Sequence, residues 1–407
     1  MKKWAIESDV LITPGKPVTK GKIVINNGVI EDVTSRDANS RMLLTIKDGI
    51  ISPGLINSHD HLMGSYYPKV GNGPYENWLP WDNDLKSAPV YEERQQIANR
   101  DLYLIGSYRN LLSGVTSVQD HIPHFVQEPY LDILPIKLIS DFAIAHSIAS
   151  FALNWGGDIQ EEYAYAAANS LPFITHIAEG FDDETRSDLQ TLKSKKGFGP
   201  NSVLVHGIAF SEQDISEIAS VGASVVWCAD SNMFMFNKTA NVREMLAAGV
   251  NVCIGTDSPM SGGLNILHEM RYCKKVYNEL YQEELPCRQI VKMATENPGK
   301  AFFLDSGRIE KGMLADITVF RNQGGDPYES IVNASLADVR LVVIEGMPVY
   351  GDAEFAEVFA QQDIEVQHVV VDGSEKVVIG NLTGLLDRVN RAVGFNKKFP
   401  FLPVAEA

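Results

Sequence analysis

The chain has 407 residues, a length that fits one (β/α)8 barrel of about 250 residues together with a smaller second domain. Its 45% hydrophobic and 21% charged residues are typical of a globular protein and exclude a disordered or fibrous one. The formal net charge of -17 argues against nucleic-acid and anionic-membrane partners, because both need clustered Lys and Arg. We therefore expect no nucleic-acid partner and a small neutral or cationic substrate.

The sequence contains no clear membrane or targeting signal. Lys2 and Lys3 are followed by only three apolar residues before Glu7, too few for the core of a signal peptide. The longest apolar stretch, residues 142–155, is shorter than the roughly 20 residues of a membrane-spanning helix. The four cysteines form no C-x-x-C pair, so neither a zinc ribbon nor a redox motif is indicated. We expect a cytoplasmic protein that does not associate with a membrane.

Short strands and turns dominate the first 52 residues. Asn27-Gly28 separates two apolar runs, which is a strong hairpin signal because both residue types tolerate positive φ. A similar pattern returns over residues 308–352. We predict that residues 1–52 and 308–352 share a small discontinuous β-sandwich domain, and that residues 353–407 form a C-terminal extension whose packing the sequence does not define.

Between these parts, over residues 53–307, strand-like and helix-like segments alternate. This alternation is typical of parallel strands joined by crossover helices, and it predicts an α/β fold of the distorted (β/α)8 TIM-barrel class. The clearest unit is a strand at 203–206, with Ser211 as the N-cap of the next helix and Gly222 as its C-cap. Strands 3 and 4, near 136–140 and 144–150, leave little room for a helix between them.

Five polar residues lie where four of the barrel strands are expected to end: His59, His61, His176, His206 and Asp257. The steps from His61 onward are 115, 30 and 51 residues, close to multiples of the roughly 25–30 residues of one strand-and-helix unit. The five side chains should therefore meet at the mouth of the barrel, on strands 1, 5, 6 and 8. His59 and His61 are two positions apart on a strand, so both face the interior. This pattern predicts a metal site, the alternative being histidines that only hydrogen-bond.

Glu179 follows His176 in the order His-Ile-Ala-Glu. It can reach the same pocket only if the backbone turns directly after His176, as a barrel strand does when it enters its loop. In that case Glu179 would act as an acid or base. Otherwise it would be a solvated carboxylate of the acidic run that follows.

Two further groups are candidates for substrate contact. His121 and His124 follow strand 2, where they could touch substrate or only line the loop. Trp78 and Trp81 lie in a long loop after strand 1, and loops of this length are uncommon unless they cover or bind something. Their rings could stack on a planar heterocycle, or could pack the loop onto the barrel or another subunit.

Taken together, these motifs form a recognisable set. The chain resembles the amidohydrolase superfamily, specifically the mononuclear cyclic-deaminase branch that includes cytosine, guanine and S-adenosylhomocysteine deaminases and the s-triazine hydrolases. The resemblance rests on Pro53–His61, Gly114–Thr116, His176–Glu179, Val205–Gly207, Ser231-Asn232, Gly255–Ser258, Glu269–Arg271 and Gly312–Asp316.

The resemblance implies one divalent metal ion, Zn or Fe, held by His59, His61, His176 and Asp257. Such a metal lowers the pKa of bound water from about 15.7 toward 7, so that hydroxide forms near neutral pH. Asp257 would take the proton from this water, Glu179 would protonate the substrate ring, and His206 would hydrogen-bond the hydroxide or the developing oxyanion. A bridging carboxylated lysine marks the two-metal relatives, and Lys137, the nearby candidate, falls on strand 3 rather than strand 4.

We therefore predict a metal-dependent aminohydrolase that releases ammonia from an amino-substituted N-heterocycle by metal-hydroxide attack. One alternative keeps the metal site but opens a cyclic amide or displaces another leaving group, as an imidazolonepropionase or a chlorohydrolase does. Another is a binding scaffold without catalysis. The expected partner is a small heterocyclic molecule, and a homo-oligomer is compatible with the sequence.

Overall fold

A computed structural model describes residues 2–34, 42–153 and 155–406. Within these residues the strands, in chain order, are β1 (Trp4–Leu11), β2 (Val18–Asn26), β3 (Val29–Thr34), β4 (Leu43–Pro53), β5 (Leu55–Asp60), β6 (Val115–Asp120), β7 (Lys137–Leu138), β8 (Ala143–Ser147), β9 (Phe173–Ile177), β10 (Ser202–His206), β11 (Ser224–Trp227), β12 (Asn251–Ile254), β13 (Ile317–Arg321), β14 (Val339–Ile344), β15 (Met347–Asp352), β16 (Gln367–Val371), β17 (Ser374–Val378) and β18 (Val404–Glu406).

The helices of the same described ranges are α1 (Trp78–Ser87), α2 (Pro89–Arg94), α3 (Asn99–Leu112), α4 (His124–Gln127), α5 (Ile159–Asn169), α6 (Asp183–Arg186), α7 (Asp188–Ser194), α8 (Glu212–Val221), α9 (Ala229–Phe236), α10 (Val242–Ala247), α11 (Ile266–Tyr281), α12 (Cys287–Met293), α13 (Glu296–Ala301), α14 (Pro327–Val332), α15 (Ala356–Gln361) and α16 (Leu382–Val393). Short 3₁₀ helices span Leu62–Tyr66, Glu128–Ile133, Leu336–Asp338 and Ala353–Phe355. None of the described helices is both long and apolar enough to cross a membrane.

Strands β5 to β12 are the eight parallel strands of the barrel. They form a three-stranded sheet, β5-β6-β7, and a five-stranded sheet, β8-β9-β10-β11-β12. A bridge between Asp60 and Asp257 joins the two sheets on one side. On the other side the hydrogen-bond ladder is interrupted between β7 and β8, and residues 139–142, all of them described, form no helix. The barrel is distorted at the place where the sequence leaves too little room for a full strand-helix unit.

Both ends of the chain contribute to a single ten-stranded sheet, in the order β18-β16-β17-β15-β14-β13-β4-β1-β2-β3. The predicted hairpin joins β2 to β3, with positive φ at Asn27 and Gly28. The predicted sandwich is therefore one continuous hydrogen-bonded sheet, and its core cluster combines Ile6 and Ile23 from one half with Leu341 and Val377 from the other. The extension after residue 353 adds β16, β17 and β18 to this sheet. The residue boundaries of the domains stay a prediction.

Close packing at the barrel mouth depends on one glycine. A Cβ atom at Gly255 would lie 2.7 Å from the Cβ of His59, a separation that real Cβ atoms do not show. Glycine therefore allows the end of β12 to approach β5. This approach brings His59 beside the residues that follow β12.

Candidate active site

Four side chains of the predicted metal site converge at the mouth of the barrel. The Nε2 atoms of His59 and His61 lie 3.8 Å and 3.5 Å from Asp257 Oδ1, and His176 Nε2 lies 3.2 Å from His59 Nε2. Such separations can be spanned by a shared ion with metal–nitrogen bonds of about 2.0–2.1 Å. Burial and the neighbouring histidines lower the pKa values of His59 and His176 well below the usual range, so both rings are neutral and offer lone pairs. The donor set fits a divalent metal such as zinc.

Hydrogen bonds to His176 and Asp257 determine which atom of each side chain is available to a metal. The Nδ1–H of His176 donates to the backbone carbonyl of His146 at 2.6 Å, which leaves Nε2 free as a ligand atom. Asp257 Oδ2 accepts from the hydroxyls of Ser231 at 2.6 Å and Ser261 at 2.7 Å. Its other oxygen, Oδ1, is the one that faces the histidines.

Asp60 points away from this cluster, as its position between two inward-facing histidines predicts. Its carboxylate forms an ion pair with Arg109 of α3, and both side chains are fully buried. Asn110 donates to the same carboxylate oxygen at 2.8 Å. Asn57 donates to Asp60 at 3.1 Å and to Thr256 Oγ1 at 2.8 Å. This buried network ties α3, β5 and the residues after β12 together beneath the metal cluster.

The backbone turns directly after β9. Glu179 needs such a turn to reach the pocket, as its position in the sequence predicts. Ala178 adopts a left-handed conformation with φ 51°, and its N–H donates to Asp188 Oδ2 at 2.7 Å. Glu179 is consequently turned into the pocket and is only 8% exposed. Burial, and then the charge of Asp257, raise the pKa of Glu179 well above its usual value, which favours the protonated carboxyl.

His206 ends β10 and faces Glu179, with 3.5 Å between His206 Nε2 and Glu179 Oε1. Its other ring nitrogen, Nδ1, lies 2.9 Å from Asn232 Oδ1. His206 and Asp257 also have left-handed backbones, with φ 75° and 56°. Non-glycine residues in this region are strained by roughly 1–3 kcal/mol each, and such residues cluster at functional sites.

These groups surround a cavity of about 180 Å³. Trp78 and Trp81, both predicted as substrate contacts, lie in its wall. The full lining is His61, Trp78, Trp81, Asp82, Leu85, His146, Leu153, Trp155, His176, Glu179, His206, Met235, Asp257 and Met260.

His146 and Trp155 belong to this wall, and sequence reasoning missed both. His146 is the penultimate residue of barrel strand 4, β8, so the rule that selected the other histidines would have selected it had that strand been better defined. Its ring lies 5.1 Å from Trp78 and 4.5 Å from Trp155, between centroids. Burial lowers the pKa of His146 to about 3, and its Nδ1 accepts from the backbone N–H of Leu153 at 3.2 Å. The neutral ring therefore carries its proton on Nε2.

The other two predicted substrate contacts do not line the cavity. His121 is fully buried within the histidine cluster, with its ring centroid 4.1 Å from that of His176, and it adds a nitrogen behind the candidate ligands. His124 begins α4, which turns it away, so that its Nε2 lies 3.1 Å from the Ser140 carbonyl and its ring stacks on Phe142.

Lys137 lies apart from the metal cluster. Its ammonium group forms an ion pair with Asp316, which directly precedes β13 of the ten-stranded sheet. A role for Lys137 as a bridging metal ligand is therefore incompatible with its position.

Comparison with known proteins agrees with this architecture. The Amidohydrolase family matches residues 162–374, more than half of the chain. The 5-methylthioadenosine/S-adenosylhomocysteine deaminase 2 of Archaeoglobus fulgidus is 40% identical over 318 residues, which cover 67% of this chain and 74% of that protein. The 5-methylthioadenosine/S-adenosylhomocysteine deaminase of Pyrococcus furiosus is 24% identical over 408 residues, covering 84% and 93%. An adenosine deaminase from Xanthomonas campestris, crystallised with zinc, has a similar fold at 17% identity, with a TM-score of 0.77 over 96% of this chain and 98% of that chain.

The chain belongs to the amidohydrolase family. It is an enzyme, a hydrolase of carbon–nitrogen bonds other than peptide bonds, and its described histidines form clusters that could hold a metal ion. The predictions of family, distorted barrel and hydrolase class are thereby confirmed, and the scaffold alternative is set aside.

Proposed function

We propose that this hydrolase deaminates an adenine-type nucleoside, exchanging the exocyclic amine of the ring for oxygen and releasing ammonia. The observation that carries the proposal is the set of Glu179, His206 and Asp257 around one small cavity with aromatic walls. Sites for drug-sized ligands have volumes of roughly 300–1,000 Å³, so about 180 Å³ suits the ring system of the base rather than a whole nucleoside. Relatives named as deaminases of adenosine derivatives support the same substrate class.

His59, His61, His176 and Asp257 would hold the metal. When bound, a divalent metal supplies a Lewis acid that lowers the pKa of water toward about 7. Asp257 accepts the proton that the attacking water loses, and its serine-bound orientation keeps Oδ1 available for this. Glu179 enters the reaction protonated and donates to the ring nitrogen beside the attacked carbon. The carbon–oxygen bond forms, the proton held by Asp257 passes to the exocyclic amine, and the carbon–nitrogen bond breaks to release ammonia. The remaining hydroxyl proton returns to Glu179, which leaves a carbonyl on the ring carbon and Glu179 protonated for the next turnover.

The cavity wall also contains groups that can bind the base and the sugar of the substrate. His146 carries a fixed N–H that can donate to a ring-nitrogen acceptor of the base, and Trp78 and Trp155 flank it for stacking. Asp82 also lines the cavity, where its carboxylate can accept from sugar hydroxyls. This combination favours a nucleoside over a bare triazine.

A substrate panel tests the proposal. Zinc-loaded enzyme would be given adenosine, 5′-deoxyadenosine, 5-methylthioadenosine and S-adenosylhomocysteine, with guanine and a chlorotriazine for comparison, while ammonia and chloride are measured. Ammonia from at least one adenine nucleoside is the expected result. Chloride release alone, ring opening without ammonia, or ammonia from guanine alone would overturn the nucleoside assignment.

Replacement of Glu179 tests the proposed acid. We expect Glu179→Gln to lower kcat by about 10²- to 10⁴-fold, the usual contribution of a positioned acid or base, with zinc content unchanged. Asp183→Asn, which changes an exposed carboxylate at the start of α6, is the matched control and should retain wild-type kcat. A fully active Glu179→Gln enzyme would remove Glu179 from the mechanism.

The setting of the enzyme is also a proposal. We infer that the enzyme acts in the cytoplasm on a small molecule. The net charge of -17 disfavours a nucleic-acid partner. Whether the chain forms a homo-oligomer would be measured by light scattering.

A further inference from the structure

A chain of hydrogen bonds extends behind His206, away from the cavity. His206 Nδ1 lies 2.9 Å from Asn232 Oδ1, and Asn232 Nδ2 lies 3.3 Å from Thr239 Oγ1. The indole N–H of Trp227 donates to the same hydroxyl oxygen at 2.6 Å. His206, Asn232 and Trp227 are each at most 1% exposed, and the contact between His206 and Asn232 is buried.

The two ends of the Asn232 amide have different neighbours in this chain. An indole nitrogen can only donate, so Thr239 accepts from Trp227, and its second lone pair accepts from the amide N–H of Asn232. The carbonyl oxygen of Asn232 then faces His206. Only a protonated Nδ1 can make a hydrogen bond to that oxygen.

The backbone around Asn232 is held as firmly as its side chain. Asn232 lies in the first turn of α9, and its N–H donates to the Cys228 carbonyl at 3.0 Å. The N–H of Asp230, in the same turn, donates to the fully buried carboxylate of Glu269 at 3.1 Å. The turn therefore cannot easily rotate Asn232 away from His206.

We infer that Asn232 is a positioning residue that holds His206 in its Nδ1–H tautomer, so that Nε2 meets the reacting water as a hydrogen-bond acceptor. In a neutral imidazole one nitrogen donates and the other accepts, and the partner of one decides the role of the other. The inference rests on the proposed function, because it assumes that His206 faces the reacting atoms.

This assignment changes the role expected for His206. A neutral ring with its proton on Nδ1 cannot donate to a developing oxyanion. It accepts a hydrogen bond from one O–H of the water and so orients the attacking oxygen, while the proton that the water loses passes to Asp257. Glu179 Oε1, 3.5 Å from Nε2, is close enough to exchange hydrogen bonds with the same atom.

Nitrogen NMR measures which ring nitrogen of His206 carries the proton, and the measurement does not require catalytic activity. The zinc-loaded protein would be labelled with ¹⁵N at its nine histidines, and His206 assigned by its absence from the spectrum of His206→Gln. We expect the shift of a protonated nitrogen at Nδ1 and that of an unprotonated nitrogen at Nε2. The reverse pattern would overturn the inference, even if the enzyme deaminates every substrate in the panel.

Three variants test the positioning role by kinetics. Asn232→Leu removes the acceptor and should lower kcat by about 10- to 100-fold, the usual loss when a histidine loses its orienting partner, with little change in KM. Asn232→Asp keeps an oxygen toward Nδ1 and should recover most of kcat. Asn251→Leu, the same change at the far end of β12, breaks contacts to Ser224 and Asn297 and should keep wild-type kcat.

The outcomes are distinguishable. If Asn232 donated to His206 instead, Asn232→Asp would be as inactive as Asn232→Leu, and the inference would fail. A wild-type enzyme that deaminates nothing would refute the proposed function, while the NMR experiment would still decide the tautomer. If Asn232→Leu does not fold, the NMR pattern of the wild type and the activity of Asn232→Asp remain decisive.

Discussion

Asp257 shows how much of this site depends on the orientation of a single carboxylate. Its two oxygens have different neighbours: Ser231 and Ser261 donate to Oδ2, while Oδ1 lies 3.5 Å from His61 Nε2. A carboxylate without these donors could rotate and present either oxygen. The two hydroxyls thus help to decide which atom is available to a metal and to a proton.

The double variant Ser231→Ala/Ser261→Ala tests this role. Because both donors to Oδ2 are lost, we expect zinc affinity to fall by about 10- to 100-fold, as is usual when the partners of a metal ligand are removed. Competition with a chelator measures the affinity. Ser220→Ala, which removes an exposed hydroxyl on α8, should match the wild type. Unchanged zinc affinity in the double variant would contradict the argument.

At the scale of elements, the turn between β9 and α6 determines where Glu179 points. Ala178 is left-handed there, and Asp188, the first residue of α7, accepts from its N–H. Burial raises the pKa of Asp188 to about 7. The turn that directs Glu179 into the pocket is therefore held by Asp188, a carboxyl group that titrates.

This titration predicts a pH dependence of stability. The pKa of Asp188 is about 7 in the folded protein and about 3.9 in an unfolded chain, so the folded state binds more protons between these values. The free energy of unfolding should therefore fall as pH rises through this window. In Asp188→Asn, about 1.4 kcal/mol per pH unit of that decline should be absent, as measured by urea unfolding. Parallel curves for the wild type and the variant would refute the assignment, and Asp183→Asn should follow the wild type.

Another element, α3, is attached to the barrel by the buried pair of Arg109 and Asp60. Removing one partner of a buried ion pair leaves an uncompensated charge, at a cost of about 3–5 kcal/mol. We expect Arg109→Met to lose about this much free energy of unfolding, and Asp60→Asn/Arg109→Met to recover part of it. Urea unfolding of both variants gives the answer, and a double variant no more stable than the single one would disprove the pairing argument.

The sequence predicted the elements that local signals define. His59, His61, His176 and Asp257 end apolar strands, and this is visible without knowledge of the fold. His146 was missed because barrel strands 3 and 4 are short and lack a helix between them. The roles of Asn232 and Ser231 were not predictable, because their partners lie 26 residues away along the chain. His124 was misplaced because α4 begins at that residue and turns the ring from the barrel.

At the scale of the whole molecule, the barrel and the ten-stranded sheet are packed as one body. Their shared core includes Phe320 and Val342 of the sheet together with Leu112 and Val115 of the barrel. The sheet also combines strands from both ends of the chain, so the N-terminal and C-terminal strands depend on one another. The sequence suggested this shared sheet, but not that residues 367–406 extend it, because their strands are short and pair mainly with each other.

This shared core predicts a single unfolding transition. Trp4, fully buried in the sheet, can be replaced in Trp4→Phe, so that the remaining tryptophans at 78, 81, 155 and 227 report only on the barrel and its loops. We expect their fluorescence and the far-UV circular dichroism, which reports on both parts, to change at the same temperature. Separate transitions would mean that the two parts unfold independently.

The left-handed residues Ala178, His206 and Asp257, at or just after the ends of three barrel strands, have a consequence for evolution. These main-chain conformations, which most residues avoid, determine the relative positions of Glu179, His206 and Asp257. Changes that relax these turns would make the protein more heat-resistant while displacing the groups that react. Relatives that evolve a higher thermal stability should therefore carry the stabilising substitutions outside these three turns, because a substitution that stabilises one of the turns would lower catalytic activity.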